Sequence, residues 1–411
     1  MPTTGSDATA PAVDQPGGAP AFPFPHRGTP EPEPEFAVLR GTEPVARVTL
    51  PFGGEGWLVT RYEHVKTVLS DPRFSRAATT WPGVARFEPV PPPPVGVFVS
   101  DPPEHSRLRS LIAQAFTKRR AETLRPRVRE LAEGLVDDLI RDGGPVDLVS
   151  RFALPFSVTV ISELLGIPPE QRQRFQAWCD ALLSTTALTD AEVHAARREL
   201  SLFLREQVAD RRARPADDLL GALVRARDDA VSLSEDELVI FTGGLLTAGY
   251  ETTASQLANF VYLLLRDGDA WSRLVAEPAR VPVAVEELLR YVPSLVIGGF
   301  TRVAVQDVPL GDVMVRAAET VVPVLGSANH DEDVFDRPDV LDLERSPNPH
   351  IAFGHGAHRC VGAQLARVEL QEALAVLVTR LPGLRLATTA EQVPWKRGII
   401  IRGVAGLPVT W

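Results

Sequence analysis

Between Phe353 and Gly362 the chain reads FGHGAHRCVG, which sets one of its two cysteines in a glycine-flanked loop that opens onto an apolar, helix-periodic stretch. A cysteine ligates a metal only as its thiolate, and positive charge or oriented backbone N–H groups favour that form. Gly354, Gly356 and Gly362 allow a backbone tight enough to bring N–H groups to the Cys360 sulfur. Phe353 keeps water off it, and Cys360 stands at the start of a helix expected over Val361 to Leu381, where the dipole favours negative charge. This is the pattern of a protected thiolate ligand. Zinc is the rival reading, since His350, His355, His358 and Cys360 fall within eleven residues. Structural zinc sites take ligand pairs separated by a longer spacer, and zinc accounts for neither the phenylalanine nor the glycines.

A second group of residues is suited to moving protons. Ala248-Gly-Tyr-Glu-Thr-Thr253 places the Glu251 carboxylate beside the Thr252 hydroxyl, a donor–relay pair for general acid chemistry. Gly243, Gly244 and Gly249 weaken the helix there, and Thr252 can divert a backbone carbonyl, so a local groove for a diatomic ligand and a water is expected. A third set is cationic. His105 and Arg109 stand four apart on one helix face, and Arg302 and His358 add two more candidates for holding anionic groups. Each alone reads as a solvated charge. Glu287 and Arg290 form an i, i+3 pair.

The elements that must position these groups are mostly helical. Helical periods dominate from His105 to Arg266, with breaks expected at Pro126, Gly143-Gly144, Pro168-Pro169 and Pro215. Ser234 and Glu237 form a capping box opening a helix to Arg266, about 48 Å long. A hairpin is expected between Ala46 and Thr60, helices over Tyr62 to Leu69 and Val281 to Tyr291, and short strands from Gly298 to Val324. Arg73 to Ser100 reads as a long irregular, functional loop. Residues 1–30, rich in Pro and Gly, read as a disordered tail, and 31–411 as one domain.

Composition narrows the classes. The 411 residues carry a net charge of −10 and are 44% hydrophobic. Two cysteines exclude a disulfide framework, and Cys179 reads as a buried hydrophobe. The acidic balance argues against nucleic acid, and no run of about 18 apolar residues suggests a membrane span, so a cytoplasmic protein is expected. Basic charge concentrates at Arg107, Arg109, Lys118, Arg119, Arg120, Arg125, Arg127 and Arg129.

The cysteine loop resembles the haem-thiolate signature of the cytochrome P450 family, and the order of elements is similar from Ala46 to the end. That resemblance implies a mainly α fold with a small β region, a single triangular haem-containing domain. It implies haem b with Cys360 as the iron ligand, Ala248, Phe353 and Gly362 against the cofactor, and His105, Arg109, Arg302 and His358 on its propionates. Glu251 and Thr252 become the acid–alcohol pair delivering protons during O2 reduction. The Glu287–Arg290 pair becomes a buried lock, with Val340 standing where many relatives place Arg or His, and Arg337 or Arg345 as possible substitutes. With no flavin or iron–sulfur segment, electrons come from a separate ferredoxin and ferredoxin reductase, docking near the basic cluster. Trp81, Val84, Phe87, Val90, Leu182, Leu245, Val296, Ile297 and Ile400 are the expected substrate contacts. Their apolar character, and a likeness to actinobacterial tailoring members, imply oxygen insertion into a sizeable secondary metabolite: a polyketide, macrolide or aromatic. The alternative is oxidative C–C or C–N coupling, such as aryl or cyclodipeptide dimerisation.

Overall fold

A computed structural model describes residues 18–88, 91, 94, 96–228 and 234–411. The helices are α1 (Glu35–Thr42), α2 (Tyr62–Ser70), α3 (Glu104–Ala113), α4 (Lys118–Asp142), α5 (Leu154–Leu165), α6 (Arg172–Leu182) and α7 (Asp190–Ala213). They continue with α8 (Leu219–Asp228), α9 (Glu235–Arg266), α10 (Gly268–Ala276), α11 (Val281–Tyr291), α12 (Leu325–Ala328) and α13 (Ala363–Arg380). The strands are β1 (Val45–Leu50), β2 (Gly54–Val59), β3 (Phe74–Ser75), β4 (Val146–Asp147) and β5 (Arg302–Ala304). After them come β6 (Val308–Leu310), β7 (Val313–Val315), β8 (Thr320–Pro323), β9 (Arg385–Leu386) and β10 (Pro408–Thr410). The expected mainly helical architecture with a minor β region is what forms.

The 32-residue α9 is the axis of the helical part. Ser234 Oγ accepts the Glu237 N–H (3.1 Å) and Glu237 Oε2 accepts the Ser234 N–H (2.7 Å), closing the capping box. From Thr253 to Leu264 every residue of α9 is buried, so this half is apolar around its whole circumference, as a central helix must be. It packs on α5, α7, α10 and α13, and α13 lies along α4. One sheet, ordered β1-β2-β8-β5-β3, flanks the helices. Its β1–β2 hairpin pairs Val45 with Val59 through Leu50 with Gly54, and Gly53 turns it at φ +86°. A Cβ at Gly53 would fall 2.5 Å from the Val84 carbonyl, so the hairpin tip needs glycine to lie against the irregular 73–100 stretch.

Two expectations are corrected. Pro126 does not break α4, which runs from Lys118 to Asp142 and ends at Gly143. The cost of the missing N–H is offset by a buried stripe (Val128, Ala132, Val136, Leu139) and by Arg125 and Arg129, which both reach Glu372 of α13. Residues 18–30 are not a free tail. Phe22 is 2% exposed, donates its N–H to Thr49 O while Pro20 O accepts the Thr49 N–H, and packs edge-on to Phe36 and Phe87. Residues 1–17 lie outside the described residues.

Candidate active site

The cysteine loop is held by short-range bonds before any side chain acts. The Gly354 N–H donates to Ile351 O (2.8 Å), Arg359 N–H to Gly356 O (3.1 Å) and Cys360 N–H to Phe353 O (2.8 Å). Gly356 has φ +69°, and a Cβ there would fall 2.3 Å from the Leu69 carbonyl at the end of α2. The loop therefore seats directly on that helix. Gly362 is the N-cap of α13 and lends its N–H to Cys360. The Arg367 guanidinium covers the Phe353 ring at 4.5 Å and forks onto Glu286 (2.7 and 2.8 Å). His350 Nε2 reaches the same carboxylate at 3.0 Å. Burial works against Glu286, yet His350 and Arg367 hold its carboxyl down to about 2.

Cys360 has an open surface of its own but sits deep among protein atoms, and burial pushes its thiol up. The Gly362 N–H and the charges of Arg109, Arg359 and Arg367 pull the other way and lose. The loop by itself thus does not lower the thiol as expected; a bound metal cation would supply the positive charge that favours the thiolate. The zinc reading fails on geometry. His350 is committed to Glu286, and the His358 ring lies 4.2 Å from the ring of His105.

That His105–His358 contact opens a cationic cradle. Both Nε2 atoms are buried without a partner. Arg302 is 4% exposed and gives Nη1 to the carbonyls of Phe300 (3.1 Å) and Thr301 (3.2 Å); burial and Arg76 drop it well below the usual range. Arg76, buried, donates to Phe98 O (2.9 Å) and Thr301 O (2.6 Å), and burial lowers it to about 10. Burial, then Arg302, His105, Arg76 and Arg109, push His358 down to about 2. Buried cations and unpartnered ring nitrogens are costly unless an anion or hydrogen-bond partner meets them. Two carboxylates, such as the haem propionates, suit this set. Arg76 escaped the sequence reading because only the β3–β5 pairing, Ser75 opposite Val303, brings it beside Arg302.

On α9, Ala248 is exposed while Leu245, Leu246 and Tyr250 are buried, and Thr252 follows one turn later, half-buried. Gly244 begins the same stripe, where a Cβ would fall 2.5 Å from the Phe98 ring. The Thr252 hydroxyl donates to the Ala248 carbonyl (2.8 Å), the expected diversion. The helix is otherwise continuous, and the other two glycines serve packing: Gly243 admits Leu204 and Gly249 admits Ile161. Glu251 leaves the helix among buried neighbours. It accepts from Ser255 Oγ (3.0 Å) and pairs with Lys396, which the sequence reading missed. Burial raises its carboxyl above the usual range despite Lys396.

The expected substrate contacts divide. Trp81 is 48% exposed, and Leu182 and Val296 are half-buried. Phe87 and Ile297 are each 1% exposed and belong to the cluster with Phe22 and Phe36, which Ile400 joins. Val84 packs with Ala78 and Val303, and Leu245 lies in the main core. These five are buried in packed clusters rather than open: Phe87, Ile297 and Ile400 beside Phe22, Val84 with Val303, and Leu245 within the helical core. Val90 lies outside the described residues. Phe300, 45% exposed over the Arg76 guanidinium, and Phe98, 41% exposed, are open apolar rings beside the cradle.

Residues 48–382 match the Cytochrome P450 family. The chain is 52% identical over 379 residues to Nocardicin C N-oxygenase of Nocardia uniformis subsp. tsuyamanensis, covering 92% of this chain and 95% of that protein. It is 48% identical over 379 residues to Mycinamicin IV hydroxylase/epoxidase of Micromonospora griseorubida, covering 92% and 94%. Among solved structures, HinD with NMFT and NO superposes with a TM-score of 0.92 at 48% identity, covering 96% of this chain and all of that one. Matches of that length and identity show the family: the chain belongs to the cytochrome P450 family and is a haem-thiolate monooxygenase.

Proposed function

We propose that residues 18–411 act as one unit that binds haem b and inserts one oxygen atom into a bulky, mostly apolar secondary metabolite of the polyketide, macrolide or aromatic class. Cys360 would ligate the iron, with Phe353, Gly362 and Ala248 against the cofactor and His105, Arg109, Arg302, His358 and Arg76 on its propionates. When bound, haem supplies the redox centre at which O2 is reduced. The chain supplies the rest. Thr252, bonded back to the Ala248 carbonyl, presents its hydroxyl oxygen to a water, and Glu251 moves protons towards it. Phe98 and Phe300 offer apolar surface that excludes bulk water and orients a large substrate.

The observation that carries this reading is the intact Glu251–Thr252 pair on the open stripe of α9. Coupling by hydrogen abstraction uses the same oxidant but needs less precise proton delivery, so oxygen insertion is favoured over C–C or C–N coupling. The named activities of the relatives, hydroxylation, epoxidation and N-oxygenation, support it. Electrons would come from a cytoplasmic ferredoxin and its reductase. Among the described residues no helix is long and apolar enough to cross a membrane.

The test is a titration of the holoenzyme's Soret band with macrolides, aromatic polyketides and cyclic dipeptides, followed by turnover in isotopically labelled O2. A spin-state shift with one class and label in its product is expected. Coupled product without label would overturn the insertion reading.

A further inference from the structure

Lys396 reaches Glu251 from the far end of the chain. Its side chain is 16% exposed and that of Glu251 4%. It enters beside Gly403, where a Cβ would fall 2.7 Å from Ser255 Oγ and 3.6 Å from Lys396 Cδ, so a side chain at 403 would close this route. Lys396 N–H donates to Gly403 O (2.8 Å), and Lys396 Nζ to Ser255 Oγ (3.0 Å) as well as to Glu251. Asn259 on α9 fixes the returning chain, giving Nδ2 to Arg402 O (3.1 Å) and accepting the Val404 N–H (3.2 Å). Asp180, at the end of α6, faces the same group of charges: the Tyr250 hydroxyl donates to it, and both Lys396 and Glu251 feel its charge.

Two residues past Lys396 the same segment grips another element. The Gly398 carbonyl accepts three N–H groups from the α6–α7 connection: Thr185 (2.7 Å), Thr186 (3.1 Å) and Ala187 (3.1 Å). Gly398 has φ +70°, and a Cβ there would fall 2.8 Å from the Ala187 nitrogen. The Ile400 N–H donates to Leu183 O (2.9 Å), and the Ile400 carbonyl accepts the Val296 N–H (3.0 Å). A single strap, residues 396–400, therefore ties the α6–α7 connection and the 295–297 segment to the acid of the proton relay.

We propose that Lys396 is a positioning residue that keeps Glu251 in its carboxylate form while the strap is seated, and that displacement of the α6–α7 connection releases this hold through Gly398. This rests on Glu251 being the relay acid. For each of the two protons a turnover consumes, Glu251 takes one up from solvent and gives one up towards Thr252, so its own charge is restored. Lys396 paired to it disfavours the first step; freed, it permits it. The groups facing Glu251 are Lys396, Asp180, Tyr250 and Ser255. Of these Lys396 is the cation, so removing it moves the carboxyl further up.

The experiment is difference infrared spectroscopy of the holoenzyme, with the Glu251 carboxyl band assigned by Glu251→Gln. Lys396→Gln should increase the protonated-acid band at neutral pH and move the Glu251 limb of the turnover–pH profile up by about 1–3 units. Lys396→Arg should restore both. Gly398→Ala should speed amide exchange over 183–188 and increase the same band. An unchanged band and pH limb in Lys396→Gln would overturn the role of Lys396. Faster exchange at 183–188 with no change in the Glu251 band would overturn the coupling. Full turnover in Glu251→Gln would instead refute the relay reading, while the band would still judge Lys396.

Discussion

Glu251 and Thr252 are adjacent in the chain yet meet different surroundings, and that division suits proton transfer. Thr252 stays on the open stripe with Ala248, while Glu251 is buried against Lys396 and Ser255. Thr252→Ala should retain haem and lose about 100-fold in product formed per electron consumed, with peroxide released instead. Unchanged coupling would contradict its role. The cradle gives a second residue-scale prediction. Charge-assisted hydrogen bonds contribute about 1.5–3 kcal/mol, so Arg76→Ala and Arg302→Ala should each speed haem transfer to a scavenger protein by about 10–100-fold. An Arg76→Ala rate equal to wild type would confine that residue to anchoring the Phe98 and Thr301 backbones. Cys360, His105, His358, Glu251 and Thr252 could be singled out as candidates from sequence because each sits in a short local motif. Arg76 and Lys396 could not, since they act through chain returns of 226 and 145 residues (Arg76 to Arg302, Glu251 to Lys396).

At the scale of elements, the lock behind the cysteine loop shows what spacing alone leaves open. Glu287 and Arg290 are both fully buried and fork onto each other at 2.7 and 2.8 Å. Arg345 completes the lock, its Nε 3.1 and 3.0 Å from the two Glu287 oxygens, with the Asp342 N–H (3.0 Å) and Asn348 Nδ2 (3.2 Å) beside it. Val340 contributes only its carbonyl, to Arg290 and Arg345, and its side chain is 46% exposed. Arg337 likewise contributes a carbonyl. Removing one partner of a buried pair costs about 3–5 kcal/mol, so Arg345→Met should lower the unfolding free energy by that amount in denaturant titration. Val340→Arg, at an exposed position, should change it by less than about 0.5 kcal/mol. Equal effects would contradict the assignment. The hairpin, the α9 capping box and α11 were readable because their signals lie within a few residues. Pro126 misled because contacts with α13, far along the chain, outweigh a local breaker.

Across the whole molecule, buried histidines set the response to acid. Burial, then Arg290, hold His330 down to about 3, with Nδ1 2.9 Å from the Gly326 carbonyl. It folds neutral, so its contribution is fully present above about 6.5 and is lost as pH falls from there towards 3. The slope is about 1.4 kcal/mol per pH unit. His330→Asn should remove that component, seen as a shallower fall of stability with acid; an unchanged slope would contradict it. The basic cluster is smaller than its sequence suggests. Arg107, Arg125, Arg127 and Arg129 are spent on carboxylates of the chain itself. Lys118, Arg119 and Arg120 remain exposed at the start of α4, with no ion pair among the described residues. Charge reversal at these three should slow reduction by an acidic ferredoxin and flatten its salt dependence. An unchanged rate would place docking elsewhere.

The central claim is that Cys360, seated on α2 by its glycine loop, carries the haem. The most direct measurement is the carbon monoxide difference spectrum of the reduced holoprotein, taken for wild type and Cys360→Ser. A red-shifted, thiolate-type Soret band in wild type that disappears in Cys360→Ser is the predicted result. A histidine-type band in wild type, or a thiolate band surviving in Cys360→Ser, would contradict the account.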